Sequence, residues 1–255
     1  YFFNMLEHFK GEEVFVKKIL DYKDQVDYKQ RLILTSFLDP YHQSIVRSII
    51  GHGDIQIKEQ GGFLNSESKR MILAPDFYEI EESDFEIVVC KIVYAKNFEK
   101  LSHRDILGAL MSLGIKRELF GDIVEKDKEF YLAVDRPIYE YLKDELKMIK
   151  RSKVKLTKCQ EEIEVKNEYI IKSFIVSSMR LDKIISSFYK ISRQKAAEFI
   201  RAGHVKVNHK PVEQINYLCN NKDIISFKKH GRVMFVDCNK QTRSNNYVVE
   251  GYFYK

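Results

Sequence analysis

The chain has 255 residues, 44% of them hydrophobic, and carries 43 Lys and Arg against 37 Asp and Glu, a net charge of +6. The length suggests two domains or three small ones, the composition is globular rather than disordered, and no apolar run approaches the ~18 residues of a membrane span. Four cysteines without a C-x-x-C pair fit neither a disulfide framework nor a zinc ribbon, and Glu7, Lys10, Glu12 and Glu13 leave no stretch for a signal peptide, so a cytosolic globular protein is expected.

Residues 1–84 carry 10 Lys and Arg against 15 Asp and Glu and read as mostly helical, with short strands. Within Glu13–Asp27, the residues Val14, Ile19 and Leu20 set a partial helical stripe. The next helix has clear ends. Asp39 is its N-cap, Pro40 its first residue, Ile45, Val46, Ile49 and Ile50 its apolar face, and Gly51 its stop. Gly51–His52–Gly53 reads as a loop with no acid to activate the imidazole. A strand over Asp54–Glu59 and a Gly61–Gly62 turn lead into the basic and apolar stretch Lys69–Leu73, closed by Pro75.

Residues 85–158 carry 16 basic against 12 acidic residues. Phe85–Tyr94 is apolar and β-branched enough for a buried strand. Ser102 then caps a helix, with Asp105 completing a capping-box-like pair. Leu107, Leu110 and Met111 are its expected buried face and Gly114 its end. Strands over Gly121–Glu125 and Glu129–Asp135, a helix from Pro137 and a strand over Lys153–Lys158 complete the order β-α-β-β-α-β, which predicts a ferredoxin-like module. Glu129–Val134 lacks the glycine-aromatic pattern of an RNA-stacking strand, so Phe130 and Tyr131 are expected in the core. His103 and Arg104 in the first turn of the helix, with Lys116 and Arg117 past its end, form a basic rim able to track an RNA backbone.

The acidic stretch Cys159–Glu168 reads as a linker or edge element. Beyond it the balance reverses, with 16 basic against 6 acidic residues over 172–255, the asymmetry expected of a polyanion binder. Leu181, Ile184, Ile185 and Phe188 mark one short helix. A second starts after Ser192, buries Ala196, Phe199 and Ile200, and stops at Gly203. Strands follow at Val205–Val207, Ile224–Phe227, Val233–Val236 and Tyr247–Val249, with a turn at Asn208–Lys210. The first turn behind Ser192 holds Arg193 and Lys195 and no acid, an arrangement that costs about 0.3–1 kcal/mol per cation against the helix dipole. A phosphate placed there reverses the sign, meeting backbone N–H groups, the dipole and two cations. Lys206, Asn208 and Lys210 on the next strand and turn offer further contacts to phosphate or 2′-OH groups.

These residues carry a resemblance. Met179–Lys183, Ser192–Ala196, Ile200, Gly203, Val205 and Val207–Asn208 resemble, in order, the RNA-binding domain shared by an S-four-type ribosomal protein, tyrosyl-tRNA synthetases and pseudouridine synthases. Asp223–Ser226 and Gly231–Arg232 fit that domain's second hairpin. Lys222, Lys229 and His230, however, stand where related proteins tend to carry Gly, Gly and an aromatic. Upstream, Phe37–Pro40, Gly61–Gly62, Pro75–Tyr78 and above all His103–Ile123 resemble the bacterial YlmH family, a likeness that spans essentially the whole chain. Lys150 departs from a Gly often present in relatives. The resemblance implies an α+β protein in three parts: an N-terminal helical region (1–80), a ferredoxin-like module (81–160) and an S-four-type domain (170–255). It further implies a cytoplasmic protein that binds ribosomal RNA of the large subunit and peptidyl-tRNA during rescue of stalled translation, without altering either.

Enzymatic readings fare worse. Arg180–Leu181–Asp182 mimics the catalytic R-L-D of pseudouridine synthases, but Lys183–Ser186 replaces the small residues that would follow, and Asp182 lies on a helix face. Phosphate-binding glycine loops are absent, the seven histidines are scattered, and Cys219 and Cys238 read as buried thiols rather than ligands. No cofactor, metal, membrane or small-molecule substrate is expected. The RNA contacts are assigned to Arg180, Lys183, Ser192, Arg193, Gln194, Lys195, Arg201, His204, Lys206, Asn208, Lys210 and Arg232, with His103, Arg104, Lys116 and Arg117 as a secondary set. Removing Arg180 or Arg193 is expected to weaken binding with little effect on folding. An RNA-modifying enzyme and a protein adaptor in cell division, docking through the acidic N-terminal part, are the alternatives.

Overall fold

A computed structural model describes residues 9, 11–51, 53–95 and 99–254; His52 of the glycine loop lies outside them. The chain forms two compact units, Tyr1–Val165 and Lys166–Lys255. Among the described residues no helix is long and apolar enough to cross a membrane.

The first unit opens with helix α1 (Glu13–Lys29), strand β1 (Ile33–Leu34) and helix α2 (Pro40–Ile50). The ends of α2 follow from its sequence. The Asp39 carboxylate accepts from the His42 N–H at 2.9 Å, and Gly51 leaves the helix at φ +67°, a conformation that only Gly adopts at no steric cost. The buried face of α1 is Val16, Ile19 and Val26, whereas Val14 is 84% exposed. At 100° per residue Val14 points away from Val16, which corrects the expected stripe. Strand β3 (Arg70–Pro75) lies between β1 and β2 (Ile55–Gln60) in an antiparallel sheet and is buried along its whole length. Its Met71 and Leu73 pack with α1 and α2, and its Ile72 and Ala74 with Ile80 and Phe85.

A second sheet in this unit holds β4 (Ile87–Tyr94), β5 (Phe120–Lys126), β6 (Glu129–Asp135), β7 (Met148–Ile149) and β8 (Ser152–Lys158), with α3 (His103–Ser112) and α4 (Arg136–Glu145) between them. The order β5-β6-β4-β8, all antiparallel, is the expected split β-α-β arrangement. Strand β7 adds an edge hairpin onto β8. On one face Cys90, Ile92, Leu132 and Val134 meet Ile106 and Leu110 of α3 and Tyr139 and Leu142 of α4. Ile106 rather than Met111 completes the α3 stripe; Met111 is exposed. On the other face Tyr131 and Ala133 are covered by Phe37, Phe63 and Ile163. Gly121 makes room for this layer, since a Cβ there would sit 2.8 Å from the Phe37 ring. The acidic stretch is therefore built in rather than a free linker as far as Val165. Ile163 is 1% exposed, its carbonyl accepts from the Leu64 N–H, and the Val165 N–H donates to Leu64.

The second unit places helices α5 (Leu181–Tyr189) and α6 (Arg193–Arg201) on one face of a six-stranded antiparallel sheet. The strands are β9 (Tyr169–Val176), β10 (Val205–Val207), β11 (Lys210–Pro211), β12 (Ile224–Phe227), β13 (Gly231–Gln241) and β14 (Tyr247–Tyr254), in the order β11-β10-β12-β13-β14-β9. Leu181, Ile184, Ile185 and Phe188 of α5 and Ala196 and Ile200 of α6 are buried as their spacing predicts. Strand β9 has no counterpart among the elements expected from sequence, and β13 and β14 run well past the expected Val236 and Val249. The register joins β14 to β9 along their entire lengths, from Tyr247–Val176 to Tyr254–Tyr169.

Candidate nucleic-acid interface

The first turns of α5 and α6 are tied together by one carboxylate. Asp182, two residues into α5, has a side chain only 2% exposed. Arg180 donates to it from Nε at 3.0 Å and from Nη2 at 3.3 Å, and Arg193, at the start of α6, donates from Nε at 2.7 Å. Burial pushes the Asp182 pKa up, but the hydrogen bonds and charges of Arg193 and Arg180 outweigh it and hold the carboxyl below its ordinary value. Both guanidinium groups remain partly in water. Asp182 is thus a positioning group that fixes two cations at adjoining helix N-termini, and it faces inward rather than into an open pocket. Loss of Arg180 or Arg193 takes one partner from this buried charge and leaves it the other.

Around this centre Ser192 caps α6 by accepting from the Lys195 N–H at 3.2 Å, and Ser192, Arg193, Gln194 and Lys195 are all exposed. Lys183 donates to the Ser177 hydroxyl at 2.9 Å, and Gln194 donates to Glu198 at 3.3 Å. The segment before α5 is pinned from the side. Leu181 and Asp182 donate their N–H groups to Tyr217 and Ile215, and Cys219 donates to Met179.

The remaining assigned residues lie outside these two first turns. Arg201 ends α6, roughly 12 Å along the axis from Arg193. His204 lies beyond that same end, and its carbonyl accepts from the Lys228 N–H. Lys206 is exposed between the buried Val205 and Val207, and Arg232 precedes the buried Val233. Strand alternation therefore sends both side chains to the sheet face away from the helices. Asn208 and His209 form the two-residue turn into β11 with φ of +50° and +68°. The Asn208 amide donates to Asp223 at 2.7 Å and accepts from the Ile224 N–H at 2.9 Å; it holds the turn, while Lys210 beyond it is exposed.

In the first unit His103 and Arg104 occupy the exposed first turn of α3, behind the capping box of Ser102 and Asp105. Lys116 is exposed past its end. Arg117 is exposed beside it and is held in place. Its Nη1 donates to the carbonyls of Phe120 and Gly121 at 2.6 and 3.1 Å, and its guanidinium lies 4.6 Å from the Phe120 ring centre. Phe130 and Tyr131 are in the core as expected. Among the described residues no group of three His, Cys, Asp or Glu is placed to hold a metal ion. Burial pushes the Cys90 and Cys219 thiols up to about 12, which leaves both protonated; Cys238 is only partly buried.

Comparison with known proteins adds sequence evidence to this geometry. A relative from Bacillus subtilis (strain 168), the ribosome-associated protein quality control protein P2, is 34% identical over 253 residues, covering 96% of this chain and 97% of the relative. The chain belongs to the YlmH family. Three family models match in chain order: "YlmH, N-terminal" over residues 11–78, "Putative RNA-binding domain in YlmH" over 81–163 and the S4 domain over 179–225. A solved structure, the cell division protein ylmH from Streptococcus pneumoniae, is 31% identical with a TM-score of 0.52, covering 59% of this chain and 92% of that one.

Within this YlmH-family chain the three lysines that stand in place of glycine have a structural answer. Lys150, Lys222 and Lys229 all adopt left-handed backbone, at φ of +52°, +71° and +69°. The turns keep a shape that glycine favours, at about 1 kcal/mol each for the β-carbon. His230 acts as the aromatic, its ring stacked on Phe227 with centroids 4.0 Å apart. Sequence reasoning missed the tyrosines of β9 and β14 on the outer sheet face. Tyr252 and Tyr254 were legible as alternate positions of a strand, but their partner Tyr169 was not.

Proposed function

We propose that this protein grips structured RNA of the large ribosomal subunit, together with tRNA, in the rescue of stalled translation, and that it does so in the cytoplasm as a binding protein rather than an enzyme. The observation that carries the reading is the pair Arg180 and Arg193, fixed by Asp182 at the adjoining N-termini of two helices inside the S4-matching segment. Phosphates meeting that corner find two oriented guanidinium groups, the exposed Lys195 and the N-terminal end of the α6 dipole. Lys183, Ser192, Gln194 and Lys210 are assigned supporting contacts, and His103, Arg104, Lys116 and Arg117 a secondary set. The name of the Bacillus subtilis relative supports ribosome association. Asp182 argues against pseudouridine-synthase chemistry, since its carboxylate is engaged by two arginines and buried.

Sedimentation of cell lysate on a sucrose gradient tests the reading. The parent should travel with the large subunit, and a Lys183→Ala/Lys195→Ala variant should shift toward the top. A parent that stays at the top even at low salt would leave the second reading, an adaptor in cell division. That reading is favoured by Phe77, 70% exposed beside Tyr78 in the acidic stretch Asp76–Asp84, and by the name of the Streptococcus pneumoniae neighbour.

A further inference from the structure

The six-stranded sheet has a second face, and its residues follow from the register. Val205, Val207, Ile225, Phe227, Val233, Phe235 and Val249 point to the helices, so the residues between them point the other way. Across that outer face one row runs through five strands. Lys206 pairs with Ser226, Ser226 with Arg232, the Arg232 guanidinium lies 4.4 Å from the Tyr254 ring centre, and Tyr254 pairs with Tyr169. Tyr169 meets Tyr254 edge to face at 4.9 Å, and Tyr252, one row on, meets Tyr169 at 5.7 Å. Four strand spacings give the row a length of about 19 Å, on the scale of the few-nucleotide sites of single-strand binders.

We propose that this row is a second RNA surface, a stacking platform for unpaired nucleotides, distinct from the helix corner and resting on the RNA-binding reading above. The chemistry is complementary at both ends. Lys206, which is exposed, offers a cation to the backbone, while the half-exposed Tyr169 and the Arg232 guanidinium lying over the Tyr254 ring offer flat surfaces to bases. Glu250, on the same face beside Tyr252, marks the side toward which the anionic strand does not extend. The matched S4 segment ends at residue 225, so Arg232 and all three tyrosines fall outside it. Stacking on an aromatic row reads unpaired bases, which a helix N-terminus facing phosphates does not, and the two surfaces together would suit an RNA that is partly paired and partly single-stranded.

The test uses the full chain, a fluorescein-labelled single-stranded oligouridylate of about ten nucleotides and a labelled RNA hairpin. Tyr169→Leu/Tyr254→Leu keeps apolar area but removes the rings, and should weaken oligouridylate binding about tenfold, the low end of one to two lost stacks. Tyr169→Phe/Tyr254→Phe should bind it as the parent does, and hairpin affinity should be unchanged in both. A Leu variant that binds the oligouridylate like the parent overturns the proposal, as does a parent that binds the hairpin and not the oligouridylate. A parent that binds neither removes the RNA-binding reading itself. Crosslinking the parent to a 4-thiouridine oligonucleotide needs no variant. Adducts on Tyr169, Tyr252 or Tyr254 are expected, and adducts confined to residues 179–210 contradict the platform.

Discussion

The five-stranded and six-stranded sheets each carry two helices on one face, and they differ in what lies on the other. In the five-stranded sheet Phe37, Phe63 and Ile163 close the second face, so neighbouring residues such as Phe130 and Tyr131 are both buried. In the six-stranded sheet alternation survives. Val205 and Val207 go in and Lys206 goes out, while Ile171 and Ile175 of β9 are 53% and 61% exposed. A sheet that is apolar on both sides is an inner layer, and one that alternates presents a surface. The arginines differ in partner. Arg117 donates from Nη1 to two carbonyls beside the covered sheet, whereas Arg180 and Arg193 share one carboxylate and stay partly exposed.

The largest effect should come from putting the same charge on the two outer faces. Ile163→Asp buries a carboxylate beneath the covered sheet and should cost about 3 kcal/mol or more, whereas Ile171→Asp on the open face should stay within about 0.5 kcal/mol. Thermal unfolding of the full chain reads both, and equal losses would erase the distinction between the sheets. Next in size is Asp182→Asn, which takes the charge from between two arginines and should cost about 1–3 kcal/mol. Because the Asp182 pKa is lowered in the fold, its contribution is present at neutral pH and fades as pH falls below the ordinary value of 3.8. The variant's acid limb should therefore be flatter than the parent's, and coincident limbs would show that the ion pair adds nothing to stability.

The cations themselves separate binding from folding. Arg193→Ala should lose about 1–2 kcal/mol of RNA affinity and up to about 1 kcal/mol of stability, the latter discounted for its exposure. Lys195→Ala should lose affinity with stability unchanged within about 0.5 kcal/mol. Titration against purified large ribosomal subunits, alongside urea unfolding, distinguishes the two profiles. The smallest effect is in the turns. Lys222→Gly and Lys229→Gly relieve left-handed strain and should stabilise by at most about 1 kcal/mol each. A loss of stability in either would mean that the lysine side chain holds its turn.

What could be read in advance follows how local each signal is. Asp39, Pro40 and Gly51 bound α2, and Leu181, Ile184, Ile185 and Phe188 set the α5 face, because caps and a 3.6-residue period act within a few turns. Val14 and Met111 have the residue type of a buried face, while their angular position around each helix sends them outward. Strand β9 was invisible because its partner is the last strand of the chain, with no hairpin turn to announce it. The site divides likewise. Arg180 and Arg193 are named by their motif, but the carboxylate that joins them acts between two helices and belongs to tertiary packing. Lys206 and Arg232 share their positive charge, yet the strand period of two separates them from the helix corner.

Whether RNA phosphates meet the corner organised by Asp182 is decided by a salt series. Affinity of the full chain for purified large ribosomal subunits would be measured across salt concentrations for the parent and for Lys195→Ala. We expect a linear fall of log affinity with log salt, and a slope shallower by about 0.7–0.9 in the variant, the change produced when one fewer phosphate is neutralised. Identical slopes and affinities for the two proteins would contradict a phosphate-binding corner.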